Sequence, residues 1–438
     1  MLDFLPVDGL SREWLRSIYQ TYVFRSKAIG KDGVTHEKFD RALEREVDII
    51  YRKIDLLDYS FTRYKEVLLS RGSDRKPRQI SVPTIRDRLA LRAALEHLKH
   101  AFPEAHSAPP HRYIKDIKTH LAGAPEDSYF LRMDIRDFYP SIQQDLLLSI
   151  LRDRKMDDRF ISLIGRAIAN PTGNSENAPQ IGIPQGLSIS NILAAIYMID
   201  FDKIASSEIF YRRYVDDILV IDEKDNISHV HEALKEGLKN IGLASHPLGT
   251  PGKTDILKRD DGVEYLGYHI SAQKTAVRRE SIARMFANLS KVLTSIKRSK
   301  NYDKHIYRLN LKITGCVINN SRRGWLMFFS QTDDISQLAF IDSWLLTEGS
   351  KIAKLGRAKF KTFKRSYYEI RYNLSDTDYV PNFDKYDLQQ KTDVVRILSN
   401  RTPEQVQVMD VQVIESEFVR LVGKEISELE RDLMQAFS

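Results

Sequence analysis

The chain has 438 residues, 42% of them hydrophobic, which is enough sequence for two or three globular domains with cores of their own. Lys and Arg outnumber Asp and Glu by 67 to 60, so the formal net charge is +7 and a polyanionic partner is favoured. The single cysteine, Cys316, excludes an intrachain disulfide framework and a cysteine-rich zinc module, and there is neither a basic leader segment nor a long apolar run. We therefore expect a globular protein of the cytoplasm with no membrane partner.

The N-terminal part is predicted to be mainly helical. Ser11 is a good N-cap, and apolar residues repeat at helical spacing through residues 1–70. The polar, basic segment 71–78 leads into an alternating strand at 79–83, which predicts a basic hairpin arm. A helix is predicted over residues 87–102, with its leucines turned inward.

The middle of the chain is predicted to be an α+β core about a small antiparallel sheet, because short apolar strands alternate there with helices. The predicted strands are 129–135, 209–215, 218–221 and 265–270, and the predicted helices are 144–152, 158–169, 188–204 and 228–240. After residue 278 the pattern is helical again, with helices predicted over 282–297, 338–346 and 413–437.

Two adjacent carboxylates, Asp216 and Asp217, separate two β-prone runs within residues 211–221, which predicts a hairpin with the acids at its turn. Like charges so close together repel unless a cation neutralises them. A hard ion with oxygen ligands, such as magnesium, is suited to that position. The alternative is an ordinary solvated Asp-Asp turn.

A third carboxylate, Asp134, ends another apolar strand. Contributed from a neighbouring strand, it would complete a site for two metal ions, which activate a 3′-hydroxyl and stabilise a leaving pyrophosphate. Asp137 is interpreted as a backbone contact to a triphosphate and not as a ligand.

The segment 182–191 supplies a third element. Its glycines allow close backbone approach, the amide of Gln185 is placed to bond near a nucleotide, and Ser188 or Ser190 is predicted to cap the following helix.

Taken in order, these three segments resemble motifs A, B and C of the reverse transcriptase family, and the hairpin matches its Tyr-x-Asp-Asp box. Four more segments fit in register: 30–35 resembles the N-terminal turn, 78–88 a fingers motif, 251–254 motif D and 264–268 the primer-grip motif. The resemblance covers about residues 20–345 and implies a right-hand polymerase fold. The implied parts are N-terminal helices and fingers (1–125), a palm (126–275, with part of the fingers inserted near 150–185), a helical thumb (276–350) and a helical C-terminal extension (351–438).

Several site residues are implied by the resemblance alone. It assigns two Mg²⁺ ions, with Mn²⁺ as a substitute, to the side chains of Asp134, Asp216 and Asp217 and the backbone of Ile135. Lys253 becomes a candidate proton donor to pyrophosphate, and the alternative is a solvated loop lysine. Deoxynucleotide (dNTP) contacts are implied for Lys76, Arg78, Asp137, Phe138, Tyr139, Gln185 and Gly186.

Tyr139 falls where the family has its sugar gate, an aromatic ring that would clash with a 2′-hydroxyl and so select deoxynucleotides. The alternative for Tyr139 is a packing aromatic beside Phe138.

Nucleic-acid contacts are implied for Tyr214, Leu266 and Gly267. The basic, aromatic stretch 351–372 either grips RNA through Lys359, Lys361, Lys364 and Arg365 or is a helix with a core stripe and solvated lysines.

Among reverse transcriptases, the chain resembles best the bacterial defence-associated class, the unknown-group and abortive-infection enzymes, and 367–384 is similar to the segment after the thumb in some of them. This implies RNA-directed DNA synthesis in antiviral defence against phage. A small non-coding partner RNA would be the template, dNTPs the substrates and DNA the product, while priming from a protein hydroxyl, a second reverse transcriptase and a homo-oligomer stay open.

Other assignments are also weighed. A retron-type reverse transcriptase is the second choice, because 313–315 is close to the retron thumb triplet although the retron Asn-Ala-x-x-His segment is missing. One cysteine argues against the endonuclease region of mobile-intron enzymes. A catalytically idle RNA-binding scaffold and a template-independent nucleotidyl transferase are the remaining hypotheses.

Overall fold

The structure is a computed structural model and describes residues 9–24, 28–70, 77–106, 108–174, 177–299, 301–352, 360–399 and 401–437, with side chains to residue 431. The helices are α1 Arg12–Ile18, α2 His36–Arg41, α3 Leu43–Asp55, α4 Ile85–Ala101, α5 Pro110–Gly123, α6 Phe138–Ser141, α7 Gln144–Asp153, α8 Asp158–Ile168, α9 Ser190–Tyr197, α10 Ile199–Ala205, α11 Lys224–Asn240, α12 Arg279–Arg298, α13 Tyr302–Thr314, α14 Trp325–Phe328, α15 Ile335–Ser350, α16 Phe363–Tyr372, α17 Leu388–Leu398, α18 Pro403–Gln407 and α19 Val411–Phe437. The strands are β1 Lys65–Leu69, β2 Arg78–Val82, β3 Ser128–Asp134, β4 Phe210–Tyr214, β5 Asp217–Glu223, β6 Asp255–Lys258, β7 Val263–Tyr265, β8 Tyr268–Ile270, β9 Thr275–Val277, β10 Cys316–Ile318 and β11 Ser321–Arg323.

The chain falls into two compact units. The first unit comprises Met1–Ala108 and Asp127–Ile256, and the second comprises Pro109–Glu126 and Leu257–Ser438. The boundaries of fingers, palm, thumb and extension stay predictions.

A four-stranded sheet in the order β4-β5-β3-β6 organises the first unit, which confirms the α+β core. β5 pairs antiparallel with both β4 and β3, so that its N-terminal end lies between the last residue of β4 and the last residue of β3. Helix α11 packs against β3 and β5. Because the inner residues of both strands are buried, their register is fixed by packing as well as by hydrogen bonds.

Helix α4 is enclosed within the core of the first unit, where it contacts α1, α8 and α9. Its Ala90, Ala93 and Ala94 are fully buried, and such small side chains leave room for three neighbouring helices. The predicted N-cap at Ser11 is confirmed, since its hydroxyl accepts a hydrogen bond from the Trp14 amide at 3.1 Å.

A hairpin is present at the predicted place, with the basic segment 71–76 outside the described residues, but its first strand was missed. β1 pairs antiparallel with β2 and occupies residues 65–69, so the prediction that the first 70 residues are helical is wrong at this end. All five residues of β1 are exposed, and helical periodicity could not distinguish this edge strand, whose partner comes later in the chain.

The second unit has a three-stranded sheet β7-β8-β9 and a two-stranded sheet β10-β11. Helices α12 and α17 contact α19, and α13 contacts α12 and α17. The prediction of one strand over 265–270 is wrong, because Leu266 and Gly267, at φ 47° and 79°, make a tight turn between β7 and β8. No helix in the described ranges is both long and apolar enough to span a membrane.

Candidate active site

The two adjacent aspartates lie at a two-residue hairpin turn, as the sequence predicts. Tyr214 pairs with Asp217, which leaves Val215 and Asp216 as the turn residues between β4 and β5. Val215 has φ 57°, in the left-handed region that a β-branched residue rarely adopts. Asp216 is therefore presented at the tip of a backbone that is held in an unfavourable conformation.

Asp134 reaches the same place from the neighbouring strand. It is the register partner of Asp217 across β3 and β5, and its side chain is mostly buried. The Ile135 amide donates to the Asp216 carbonyl at 2.8 Å, which ties the end of β3 to the turn. Three carboxylates from distant parts of the chain thus meet at one end of the sheet.

Basic side chains face two of these carboxylates. Arg132 binds Asp217 in a bidentate manner, with Nε–Oδ1 and Nη2–Oδ2 both at 3.0 Å. Lys253 Nζ donates to Asp134 Oδ2 at 2.8 Å, and His246 Nε2 lies 3.3 Å from Asp134 Oδ1. The site therefore combines three acids with three basic groups.

Burial, together with the neighbouring negative charges, raises the pKa values of two of the three carboxylates. Burial raises the pKa of Asp217 to about 6, with the charges of Asp216 and Asp134 adding to the effect and Arg132 opposing it. The pKa of Asp216 is also raised, first by burial and then by the charge of Asp134, while Lys253 and Arg78 oppose the rise. Two carboxylates are thus destabilised as anions by their surroundings.

This donor set fits divalent cations. Carboxylate oxygens are the ligands of hard cations, and a bound cation would stabilise the buried anions and relieve the repulsion between them. Within the described part of the chain, no three His, Cys, Asp or Glu side chains are already turned to a common metal position. Asp134 and Asp217 instead face Lys253 and Arg132, so metal ions would compete with these cations for the carboxylates.

The predicted sugar gate lies beside the acids. The Tyr139 hydroxyl donates to Asn191 Oδ1 at 2.8 Å, and burial with the charge of Asp216 raises the pKa of Tyr139 to about 12. The charge of Arg78 acts on both Tyr139 and Asp216, which places this predicted fingertip cation near the two. Phe138 is buried, and Asp137 is exposed at φ 47° before α6.

The loop with Gln185 and Gly186 packs against strand β2 of the β1-β2 hairpin. The Ser81 amide donates to the Gln185 carbonyl at 2.7 Å. At Gly186, which has φ 102°, a Cβ would lie 2.6 Å from Cγ2 of Ile80 and 3.0 Å from the Ser81 carbonyl oxygen. Glycine is therefore required here, as the sequence predicts.

The predicted serine cap after this loop is wrong. Ile189 occupies the N-cap position of α9 without a side-chain bond, and the Ser190 hydroxyl donates instead to the Pro184 carbonyl at 2.5 Å. The predicted helix over 188–204 is also interrupted, with α9 and α10 separated by Met198.

The other predicted nucleic-acid residues are distributed differently. Tyr214 closes the turn in the first unit, whereas Leu266 and Gly267 form a turn in the second. Lys76 and Lys359 lie outside the described residues. Lys361 Nζ donates to the Tyr379 carbonyl at 2.6 Å and so joins an internal contact, while Lys364 and Arg365 are exposed on α16.

Two of the site's basic groups were not predicted. Arg132 had a usable signal, because residues two apart on a strand share a face and Arg132 precedes Asp134 by two. His246 carries no such signal, since its proximity to Asp134 depends on the path of the chain after α11. The Arg136 amide donates to the Ala244 carbonyl at 2.8 Å and the His246 amide to the Asp134 carbonyl at 3.0 Å, which brings that segment to the site.

Comparisons with known proteins find one matching family profile and several more distant similarities. Residues 70–270 match the profile of the family described as "Reverse transcriptase (RNA-dependent DNA polymerase)". An uncharacterized 91 kDa protein in the cob intron of Schizosaccharomyces pombe is 29% identical over 170 residues, which are 36% of this chain and 20% of that protein. Protein YkfC of Escherichia coli is 26% identical over 191 residues, 40% of this chain and 49% of YkfC.

The group II intron-encoded protein LtrA of Lactococcus lactis is 24% identical over 196 residues, 41% of this chain and 32% of LtrA. The chain thus spans about half the length of these curated relatives or less. Among solved structures, telomerase from Candida albicans in complex with a fragment of telomeric RNA matches with a TM-score of 0.44 and 15% identity, over 86% of this chain and 69% of that chain.

Proposed function

We propose that the chain is a reverse transcriptase, an RNA-directed DNA polymerase, because residues 70–270 match the profile of that family. The observation that carries the proposal is the register of Asp134 opposite Asp217, with Asp216 at the adjoining turn. Had Asp134 been remote from this hairpin, the three acids could not serve one reaction centre.

We propose that Asp134, Asp216 and Asp217, with the Ile135 carbonyl, hold two Mg²⁺ ions, for which Mn²⁺ can substitute. When bound, such ions lower the pKa of the attacking hydroxyl and neutralise charge on the leaving pyrophosphate. Lys253, 2.8 Å from Asp134, is the candidate proton donor to that pyrophosphate. Lys253 stays paired with the Asp134 carboxylate until a substrate or a cation displaces it.

We propose that a second group of residues near the acids selects the substrate. Tyr139 is held by Asn191, so its ring has a defined position from which to exclude a 2′-hydroxyl. Arg78, and Lys76 by resemblance, would bind the triphosphate as fixed cations. Gln185 and Gly186 would form the floor, with Asp137 and Phe138 completing the nucleotide pocket.

A direct assay tests the activity. Purified protein is incubated with Mg²⁺, labelled dNTPs and a primed RNA template, beside the Asp216→Ala, Asp217→Ala double variant. Incorporation by the wild type alone supports the proposal. Tight RNA binding with no incorporation by either protein would favour the idle scaffold, and a homopolymeric or random product would favour the template-independent transferase.

We propose that RNA is gripped in part by the exposed face of α16, which revises the sequence prediction for 351–372. Phe363 and Tyr367 belong to the core. Tyr368 and Tyr372 are 43% and 71% exposed, and their rings stack with centroids 6.2 Å apart. Exposed aromatic rings beside cations are suited to stacking on unpaired bases. Lys364, one turn before Tyr368 on the same stripe, would contact a phosphate.

Substitution separates ring stacking from other effects on this face. Tyr368→Ala with Tyr372→Ala should weaken binding of single-stranded RNA in fluorescence anisotropy by about tenfold or more, since each stacked base contributes about 1–3 kcal/mol. The Tyr368→Phe, Tyr372→Phe control keeps the rings and should bind as the wild type does. Equal affinity of all three proteins would exclude this face.

The biological role is proposed from resemblance to defence-associated reverse transcriptases. The support is a helical C-terminal part, α16 to α19, which comes after the polymerase segment. We propose cytoplasmic DNA synthesis on a small non-coding RNA during phage infection, with a retron-type enzyme as the alternative. Phage challenge of cells that express wild type or Asp216→Ala tests the role, and sequencing of co-purified RNA and of the DNA made identifies template and product.

A further inference from the structure

The turn that presents Asp216 needs stabilising contacts from outside the turn. Val215, at φ 57°, is a β-branched residue in the left-handed region, a conformation that costs about 1–3 kcal/mol and persists only where the surroundings enforce it. Asp216 is the next residue in the chain, so any relaxation at Val215 moves the Asp216 carboxylate.

Arg213 supplies a contact to this strained residue. Its Nη1 donates to the Val215 carbonyl at 2.7 Å, and its side chain is only 8% exposed. The same guanidinium binds Asp202 of α10. Its Nε donates to Asp202 Oδ1 at 2.8 Å, and its Nη2 donates to Asp202 Oδ2. Asp202 Oδ1 also accepts a hydrogen bond from the Tyr211 hydroxyl, at 2.7 Å.

The opposite side of the turn is held independently. The Ile135 amide donates to the Asp216 carbonyl at 2.8 Å, so the two successive carbonyls of the turn each accept a bond from a different element. Ile135 fixes the turn to β3, and Arg213 fixes it to α10. We propose that Arg213 is a positioning residue, anchored by Asp202, that holds the strained turn and thereby sets the position of the Asp216 carboxylate.

The chemistry of the side chain explains why an arginine is needed. A guanidinium presents several donors in a rigid plane, so it can bind a carboxylate through Nε and Nη2 while Nη1 points at a carbonyl. An ammonium group is a single point of charge and cannot hold both partners in fixed directions. Lysine at this position would keep the charge opposite Asp202 but lose the hold on Val215.

The first test needs no catalytic activity. Hydrogen exchange of peptides covering residues 212–218 is compared between wild type, Arg213→Lys and a matched control, Arg212→Lys, whose guanidinium donates to the Tyr211 carbonyl and lies over the Phe210 ring. Arg213→Lys should exchange about tenfold faster in these peptides, with the α4 peptides unchanged. Uniform acceleration throughout the first unit would indicate a general packing role and overturn the proposal, as would unchanged exchange at the turn.

The second test rests on the proposed polymerase function. Arg213→Lys should lower kcat about 10²-fold, because a displacement of about 1 Å at a catalytic group has effects of that size. KM for dNTP and Kd for the template-primer should stay within about twofold, and the kcat is normalised to active sites by the burst amplitude. A lower burst amplitude with an unchanged kcat per active site would show that part of the variant is misfolded and that the Asp216 carboxylate is not displaced, and this would overturn the proposal.

The anchor is tested by non-additivity. Asp202→Asn should lower kcat less than Arg213→Lys, and the double variant should lose no more than Arg213→Lys alone, because both act through one contact. Additive losses would overturn the proposed chain from Asp202 through Arg213. An inactive wild type with a turn that still loosens in Arg213→Lys would refute the polymerase assignment while leaving the positioning role intact.

Discussion

The bidentate pair between Arg132 and Asp217 should be important for the stability of the first unit. Their side chains are 16% and 14% exposed, and they join two adjacent strands of the sheet. Removing one partner from a buried pair costs about 3–5 kcal/mol, because the other charge stays buried without compensation. We expect Arg132→Met to cost about 3 kcal/mol, the lower end, since some solvent still reaches both groups.

That loss is measurable as a fall in Tm. For a unit of this size it corresponds to about 6–12 °C in scanning calorimetry. Asp217→Asn should cost less, and the double variant should resemble Asp217→Asn, so the double-mutant cycle should return a coupling energy equal to the cost of Arg132→Met, about 3 kcal/mol in magnitude. Arg212→Lys is the matched control on the neighbouring strand and should leave Tm nearly unchanged.

The loss should also depend on pH. Burial raises the pKa of Asp217 to about 6, and without Arg132 the pKa of Asp217 would rise further. At pH 5 the carboxyl group is therefore mostly neutral, and the loss of its cationic partner costs little. Arg132→Met should therefore destabilise the protein more at pH 8 than at pH 5. A Tm within about 1 °C of the wild type at pH 8, or a coupling energy below about 0.5 kcal/mol, would refute the reasoning.

Three further predictions concern the same unit. Gly186→Ala, whose Cβ would meet Ile80 at 2.6 Å, should reduce polymerisation at least about tenfold, whereas Gly33→Ala, also at positive φ but with no atom within 4 Å, should show only a small loss of Tm and full activity. Burial raises the pKa of Asp87 to about 6 from 3.8, so its contribution to stability is present below about pH 4 and falls by up to about 3 kcal/mol as pH rises to 7. The difference in urea unfolding free energy between wild type and Asp87→Asn should shift by that amount in favour of the variant, and a constant difference would contradict the assignment. Tyr139→Ala should raise ribonucleotide incorporation relative to deoxynucleotide about tenfold or more, while Tyr139→Phe, which keeps the ring, should not; equal selectivity of all three proteins would exclude the gate.

Local sequence patterns predicted the parts of the site that depend on local structure. Alternating apolar runs around Asp216 and Asp217 define two strands with acids between them, and the apolar run before Asp134 defines a third. Positive φ at Gly186 was likewise predictable, because glycine tolerates it without cost. The same local patterns mistook β1 for helix, since an exposed strand is defined by its partner and not by its own periodicity.

Contacts between distant segments were decided only by the tertiary structure. The pairing of Arg213 with Asp202, the approach of His246 to Asp134 and the use of Lys361 inside the second unit all depend on how separate elements pack. A charged residue has the same signature in a sequence whether it is solvated, paired or bound to a ligand. Local sequence can therefore place three carboxylates at strand ends and turns, but only the packing of the sheet and its helices selects the cations that meet them.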